Sequence, residues 1–96
     1  MSQKHQVALI GAGRMGQIHG RNAARHPDLA LRYVIDTDAS PAGALAAQTG
    51  AQIATLSDAL GDRAVKAVVV ASSTDMHLEH SLASIQAGKA VLCEKP

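Results

Sequence analysis

The chain has 96 residues, nine Lys and Arg against eight Asp and Glu, and a formal net charge of +1. That length makes one small domain able to bury about 60 to 65% of its unfolded surface, and the near-neutral balance carries no basic field of the kind nucleic acid selects. The apolar runs are far too short to span a bilayer, Met1-Ser2-Gln3-Lys4-His5-Gln6 lacks the apolar stretch of a signal peptide, and the single cysteine, Cys93, forbids an internal disulfide, so a cytoplasmic protein with no membrane partner is expected.

Tyr33 is the only aromatic residue, which removes the stacking platforms used by single-stranded nucleic acid and leaves an aliphatic, alanine-rich core. Strands alternate with helices from near Gln6 to the end, the pattern of a parallel sheet covered on both faces. Val7-Ala8-Leu9-Ile10 is continuously apolar, as a strand buried on both sides should be. Gly11-Ala12-Gly13-Arg14-Met15-Gly16 follows it and opens a helix over about Arg14 to Arg25, which stops at His26-Pro27 because a residue before proline avoids helical geometry. Strand, G-x-G-x-x-G and helix in that order form the dinucleotide-binding fingerprint. Gly11 turns the chain off the strand, Gly13 keeps the backbone open to a pyrophosphate, and Gly16 lets the helix sit close on the sheet. The first N–H groups, from Gly13, Arg14 and Met15, have no partner inside the helix and point at the anion that fills the turn. The helix dipole adds about 0.3 to 1 kcal/mol.

The second strand, Leu31 to Ile35, ends at Asp36, 20 residues beyond Gly16. A carboxylate there accepts hydrogen bonds from the adenosine ribose hydroxyls and favours NAD. A 2'-phosphate beside it would meet repulsion of order 4 kcal/mol at about 4 Å and an effective dielectric of 20. Neither Thr37, which joins the cofactor-binding set, nor Asp38 supplies an arginine to hold such a phosphate.

Ser40 as N-cap and Pro41 in the first helical position predict a helix in which Ala42, Leu45, Ala46 and Thr49 face the sheet and Gly50 forms the C-cap. Gln52-Ile53-Ala54 reads as a short edge strand, and Ser57-Asp58-Ala59-Leu60 as a capped short helix ended by Gly61. Val65 to Ala71 is a buried, β-branched fourth strand. Thr74 can cap the next helix, whose stripe of Leu78, Leu82 and Ile85 is read as core packing, with Gly88 closing it. Ala90-Val91-Leu92-Cys93 is the fifth strand, before Glu94-Lys95-Pro96.

Right-handed crossovers then give a doubly wound Rossmann sheet in the order 3-2-1-4-5, three layers in all. The order reverses between strands 1 and 4, so a ligand crevice lies beyond their carboxyl ends. Gly11 to Gly16 stand on one side of it and Ser72, Ser73 and Thr74 on the other, short hydroxyl residues able to bond a pyrophosphate or a nicotinamide ribose without blocking it.

The glycine motif with His19, the acid Asp36, the run Ala71-Ser72-Ser73-Thr74-Asp75-Met76-His77 and the stretch from Ala87-Gly88-Lys89 to Glu94-Lys95-Pro96 together resemble the N-terminal domain of the Gfo/Idh/MocA oxidoreductases. The resemblance covers nearly the whole chain, and Glu94-Lys95-Pro96 beside the fingerprint is its most specific piece. Ile18-His19-Gly20-Arg21-Asn22 and His26-Pro27 look most like the bacterial inositol 2-dehydrogenases, whereas Ser73 stands where many members have proline. The resemblance implies an NAD-dependent dehydrogenase acting on a polyol or sugar CH–OH group, inositol first among them. Lys95 would be the catalytic lysine that orients substrate and tunes proton transfer, Glu94 would lie beside the nicotinamide ribose, and His77 would lie near the cofactor. It also implies a second domain that supplies an Asp and a His for proton removal, the polyol contacts and a homo-oligomer interface. Against that pattern the chain reads as residues 1–96 of a cofactor domain truncated after Glu-Lys-Pro, inactive by itself.

Other chemistries are set aside. His77-Leu78-Glu79-His80 fits neither H-E-x-x-H nor H-x-x-E-H, so no metal is expected. Ser72 and Ser73 lack the G-x-S-x-G setting of a nucleophile, and Cys93 ends a buried strand as a small hydrophobe. The other class left open is a stand-alone dinucleotide-binding sensor, since fold alone does not establish chemistry.

Overall fold

The computed structural model describes residues 5–36, 39–72 and 74–93, without the side chains of residues 39, 74, 75, 77 and 93. In chain order the elements are β1 (His5–Ile10), α1 (Arg14–Arg25), β2 (Leu29–Ile35), α2 (Ala39–Thr49), β3 (Gln52–Ile53), α3 (Leu56–Gly61), β4 (Val65–Val70), α4 (Thr74–Gln86) and β5 (Ala90–Cys93). The strands form one parallel sheet in the order β3-β2-β1-β4-β5. This is the doubly wound Rossmann arrangement. Each crossover carries a helix, and the change of direction after β3 sends the later helices to the opposite face.

Alternation along the central strands divides the core in two. Val7 and Leu9 of β1 join Val34, Ala42 and Leu45 under α1 and α2, while Ala8 and Ile10 join Val65, Val68, Val70 and Ala59 on the face of α3. Leu9, Val34, Leu45, Val68 and Val70 are fully buried, so β1 and β4 form a rigid aliphatic platform whose carboxyl ends fix the crevice. On the α1 face, Gly20 lies against Leu45, whose methyl would be 2.7 Å from an added Cβ.

Three helix starts differ from the sequence reading. α2 begins at Ala39, which puts Ser40 inside the first turn instead of before it. α3 is capped by Thr55, whose hydroxyl accepts from the Asp58 N–H at 3.1 Å, so Ser57 is an interior residue. Thr74 is the first helical residue of α4. Of the three expected glycine stops, Gly50 and Gly88 take the left-handed conformation at φ +79°, whereas Gly61 stays helical and Asp62 forms the C-cap.

The largest correction concerns α4. Leu78, Leu82 and Ile85 are 70%, 48% and 60% exposed, so the apolar stripe does not pack into the core. The inward face carries His80 and Ser84 instead, and Ser84 is fully buried with its hydroxyl bonded to the His80 carbonyl at 2.8 Å. Small and polar residues on that side let the helix sit close to β4 and β5.

Candidate dinucleotide-binding site

The glycine turn is held between two neighbouring strands. Gly11 N–H donates to the Ile35 carbonyl at 2.7 Å, and Ala71 N–H donates to the Ile10 carbonyl at 2.8 Å. Gly11 has φ +95°, and a Cβ there would stand 2.6 Å from the Ala71 carbonyl oxygen, so both conformation and space demand glycine. A Cβ on Gly16 would overlap the Gly11 carbonyl, which is how α1 comes down onto the turn. Gly13 differs from both. Its backbone is extended at φ −71° and ψ −164°, and nothing lies within 4 Å of where its Cβ would be. The absent side chain keeps open space over the turn and answers no packing demand.

No side chain caps α1 and no acid stands in its first turn, so the amides of Arg14 and Met15 at that end are served by no side-chain cap. Such an end attracts an anion through both its N–H groups and its dipole. Asp36 lies at the mouth of the same turn, where its Oδ2 accepts from the Ala12 N–H at 2.6 Å. Gln17 completes the brace, with Nε2 donating to the Ala12 carbonyl at 2.9 Å and the Pro41 carbonyl at 3.0 Å.

Gly11, Gly13, Asp36, Ser72, Met76 and His80 line a crevice of about 530 Å³ at the carboxyl ends of β1 and β4. A second cleft of about 500 Å³, floored by Ile35 and walled by Thr55 and Leu56, shares Asp36 and His80 with it. Together they form an elongated site with glycines at one part, a carboxylate between, and an apolar wall beyond. The glycine turn, Asp36 and Ser72, distant in sequence, are thus brought together. Thr37, Ser73, Glu94 and Lys95 lie outside the described residues, as do the side chains of Thr74 and His77. His19 lines a separate groove with Val69 and Leu92 on the α1 face, away from the crevice.

His80 was missed. The sequence reading considered it only as half of a metal pair, yet its Nδ1 is 2.7 Å from Ser72 Oγ inside the crevice. A signal existed: His80 stands four residues after Met76 and four before Ser84, and residues four apart share one helix face.

The family described as "Oxidoreductase family, NAD-binding Rossmann fold" matches residues 5–96. Inositol 2-dehydrogenase 3 of Saccharopolyspora erythraea is 43% identical over 93 residues, covering 95% of this chain and 28% of that protein. The inositol 2-dehydrogenase of Rhizobium meliloti is 34% identical, over 95% of this chain and 28% of its own length. The chain therefore spans little more than a quarter of these relatives. Among solved structures, a putative myo-inositol dehydrogenase from Sinorhizobium meliloti superposes with a TM-score of 0.91 at 33% identity, over 95% of this chain and 28% of that one. GenD2 from gentamicin A biosynthesis, solved in complex with NAD, superposes with a TM-score of 0.95 at 38% identity, over all of this chain and 28% of that one. With the glycine turn, the acid after β2 and the sheet order already in place, the chain belongs to the Gfo/Idh/MocA oxidoreductases as an NAD-binding Rossmann domain.

Proposed function

We propose that this chain is the cofactor domain of a cytoplasmic NAD-dependent dehydrogenase that oxidises a CH–OH group of a polyol or sugar. Inositol is the substrate to which the names of its relatives point. The observation that carries the reading is the bond from Ala12 N–H to Asp36 Oδ2, because it sets the carboxylate at the edge of a glycine turn with open space over Gly13. The residues fit the dinucleotide in order. The uncapped amides of Arg14 and Met15, with Gly11, Gly13 and Gly16, take the pyrophosphate. Asp36 accepts from the ribose hydroxyls, since a carboxylate has room for several hydrogen bonds, with Thr37 beside it. Ser72 serves the far side of the crevice, and by the family resemblance Ser73, Thr74 and His77 join the cofactor-binding set, with Glu94 for the nicotinamide ribose.

Bound NAD supplies the hydride acceptor of such a reaction. Lys95 orients the substrate hydroxyl and stabilises the negative charge that develops on its oxygen as the hydroxyl proton is removed, the charge that is spent when the C–H hydride leaves. The chain spans 28% of the first relative's length, and the family resemblance assigns the base that takes the hydroxyl proton, the polyol contacts and a homo-oligomer interface to a second domain. Titration of the 96-residue chain with NAD and NADP tests the cofactor half of the reading. NAD binds at least about tenfold more tightly, because a 2'-phosphate would face Asp36. Equal or tighter binding of NADP overturns it.

A further inference from the structure

Gly13 poses a problem that packing leaves unsolved. Glycine is the most permissive residue type, and nothing lies within 4 Å of where the Gly13 Cβ would be, so no neighbour fixes the peptide groups on either side of it. Gln17 supplies the missing hold. Its backbone N–H donates to the Gly13 carbonyl at 2.8 Å, and its side-chain Nε2 donates to the Ala12 carbonyl at 2.9 Å. Among the described residues no peptide bond is cis, and in a trans peptide the C=O and the N–H that follows it point in opposite directions. Carbonyls held on the Gln17 side therefore turn the Gly13 and Arg14 amides toward the opening of the turn.

The second Nε2 hydrogen goes to the Pro41 carbonyl at 3.0 Å, which ties the first turn of α2, and with it the segment after Asp36, to the same brace. Both acceptors are carbonyl oxygens, so only the nitrogen of the Gln17 amide can serve them. Ala12 is 1% exposed, which leaves its carbonyl little water to take the place of Gln17. We propose that Gln17 is a positioning residue for the dinucleotide: its side chain grips the Ala12 carbonyl and so aims the Gly13 amide at the diphosphate before the ligand arrives. The inference rests on the cofactor reading above. An amide aimed in advance binds an anion without the cost of ordering a glycine on contact. Any residue at position 17 can make the backbone bond to Gly13, but few can make the side-chain bond, so the side chain answers for Gly13 and not for Arg14.

Titration of the isotope-labelled full chain with NAD and with adenosine, followed amide by amide in nuclear magnetic resonance spectra, tests the proposal. Gln17→Met keeps the length of the side chain and loses its donors. NAD affinity then falls about tenfold, the order of one well-placed hydrogen bond, while adenosine, which has no diphosphate, binds within about twofold of its former strength. The NAD-induced shift of the Gly13 amide shrinks more than that of Arg14. Gln17→Asn, one methylene shorter, gives the same pattern and replaces the Met variant should that fold poorly. Unchanged NAD affinity in a folded variant, or an equal loss of NAD and adenosine binding, the mark of a residue that only holds the fold, overturns the role of Gln17 and leaves the crevice as the NAD site. Failure of the unaltered chain to bind NAD overturns the cofactor reading and this inference with it.

Discussion

Two aspartates at opposite ends of the sheet show what separates a carboxylate that holds the fold from one that borders an open cleft. At the amino edge, Asp62 is committed to the protein. Its Oδ2 accepts from Tyr33 Oη at 2.6 Å and from Arg32 Nε at 2.7 Å, its Oδ1 from Ala64 N–H at 2.9 Å, and its carbonyl from Lys89 Nζ at 2.8 Å. Those bonds tie β2 to the segments that enter β4 and β5. The Tyr33 hydroxyl first, then the Ala64 amide and Arg32, hold its carboxyl down at about 2. At the carboxyl edge, Asp36 makes a backbone contact with the glycine turn and lines two clefts. Closed hydrogen bonding at one end gives anchorage. Backbone bracing around open space at the other gives a site.

The same contrast runs through the glycines and yields the largest expected effects. Gly16→Ala drives a methyl into the Gly11 carbonyl, backbone against backbone, so α1 must lift from the turn. The expected cost is about 3 kcal/mol, a large share of a small domain's stability, and NAD binding is lost with it. Chemical denaturation read alongside NAD titration checks both. Gly13→Ala is the opposite case. Its Cβ meets nothing within 4 Å and its φ is negative, so the melting temperature stays within a few degrees. NAD affinity nonetheless falls about a hundredfold, because the methyl occupies the pyrophosphate's approach. A Gly13→Ala protein that binds NAD normally would dissolve the distinction between the two glycines.

Asp62 tests the anchoring end. Asp62→Asn weakens the bonds to Arg32 and Tyr33 and lowers the melting temperature by a few degrees, with NAD affinity unchanged. The sign of its pH dependence follows from a folded-state value depressed to about 2. Its contribution is whole above the ordinary carboxyl range near 4 and drains away as pH falls from there through 2. The Asn variant loses that portion of the acid sensitivity, seen as a flatter plot of melting temperature against pH below 4. A loss of NAD affinity in Asp62→Asn would show that the two ends are coupled.

How much of this was legible in the sequence depended on whether a feature is local. α1 runs from Arg14 to Arg25 as the glycine motif and Pro27 required, and sheet order followed from alternation and handedness. The glycine turn and Asp36 were legible because fingerprint spacing encodes their meeting, and Ser72 because the sheet order reverses between β1 and β4. The cap of α3 was not, since Thr55 and Ser57 offer the same chemistry and only the extended backbone at Thr55, φ −81° and ψ 160°, selects between them. Nor was the Asp62 cluster, whose partners Arg32 and Tyr33 lie 30 and 29 residues away with no spacing rule to join them. His80 fell between these cases: its helix face was readable, but its partner sits on a different element.

The α4 stripe shows the same limit most sharply and gives the smallest expected effect. A helical period of Leu78, Leu82 and Ile85 reveals that one face is apolar, but not whether that face turns toward the sheet. The structure turns it outward and sets Ser84 against the strands. Leu78→Gln removes a side chain already 70% exposed, and the stability of the 96-residue chain changes by less than about 0.5 kcal/mol. Ser84→Leu, by contrast, forces a larger side chain under the helix and costs about 1 to 3 kcal/mol. Measured as paired denaturation curves, the two substitutions rank in the order opposite to hydrophobicity alone. A large loss from Leu78→Gln would return the stripe to the core and reverse the face that α4 presents to β4 and β5.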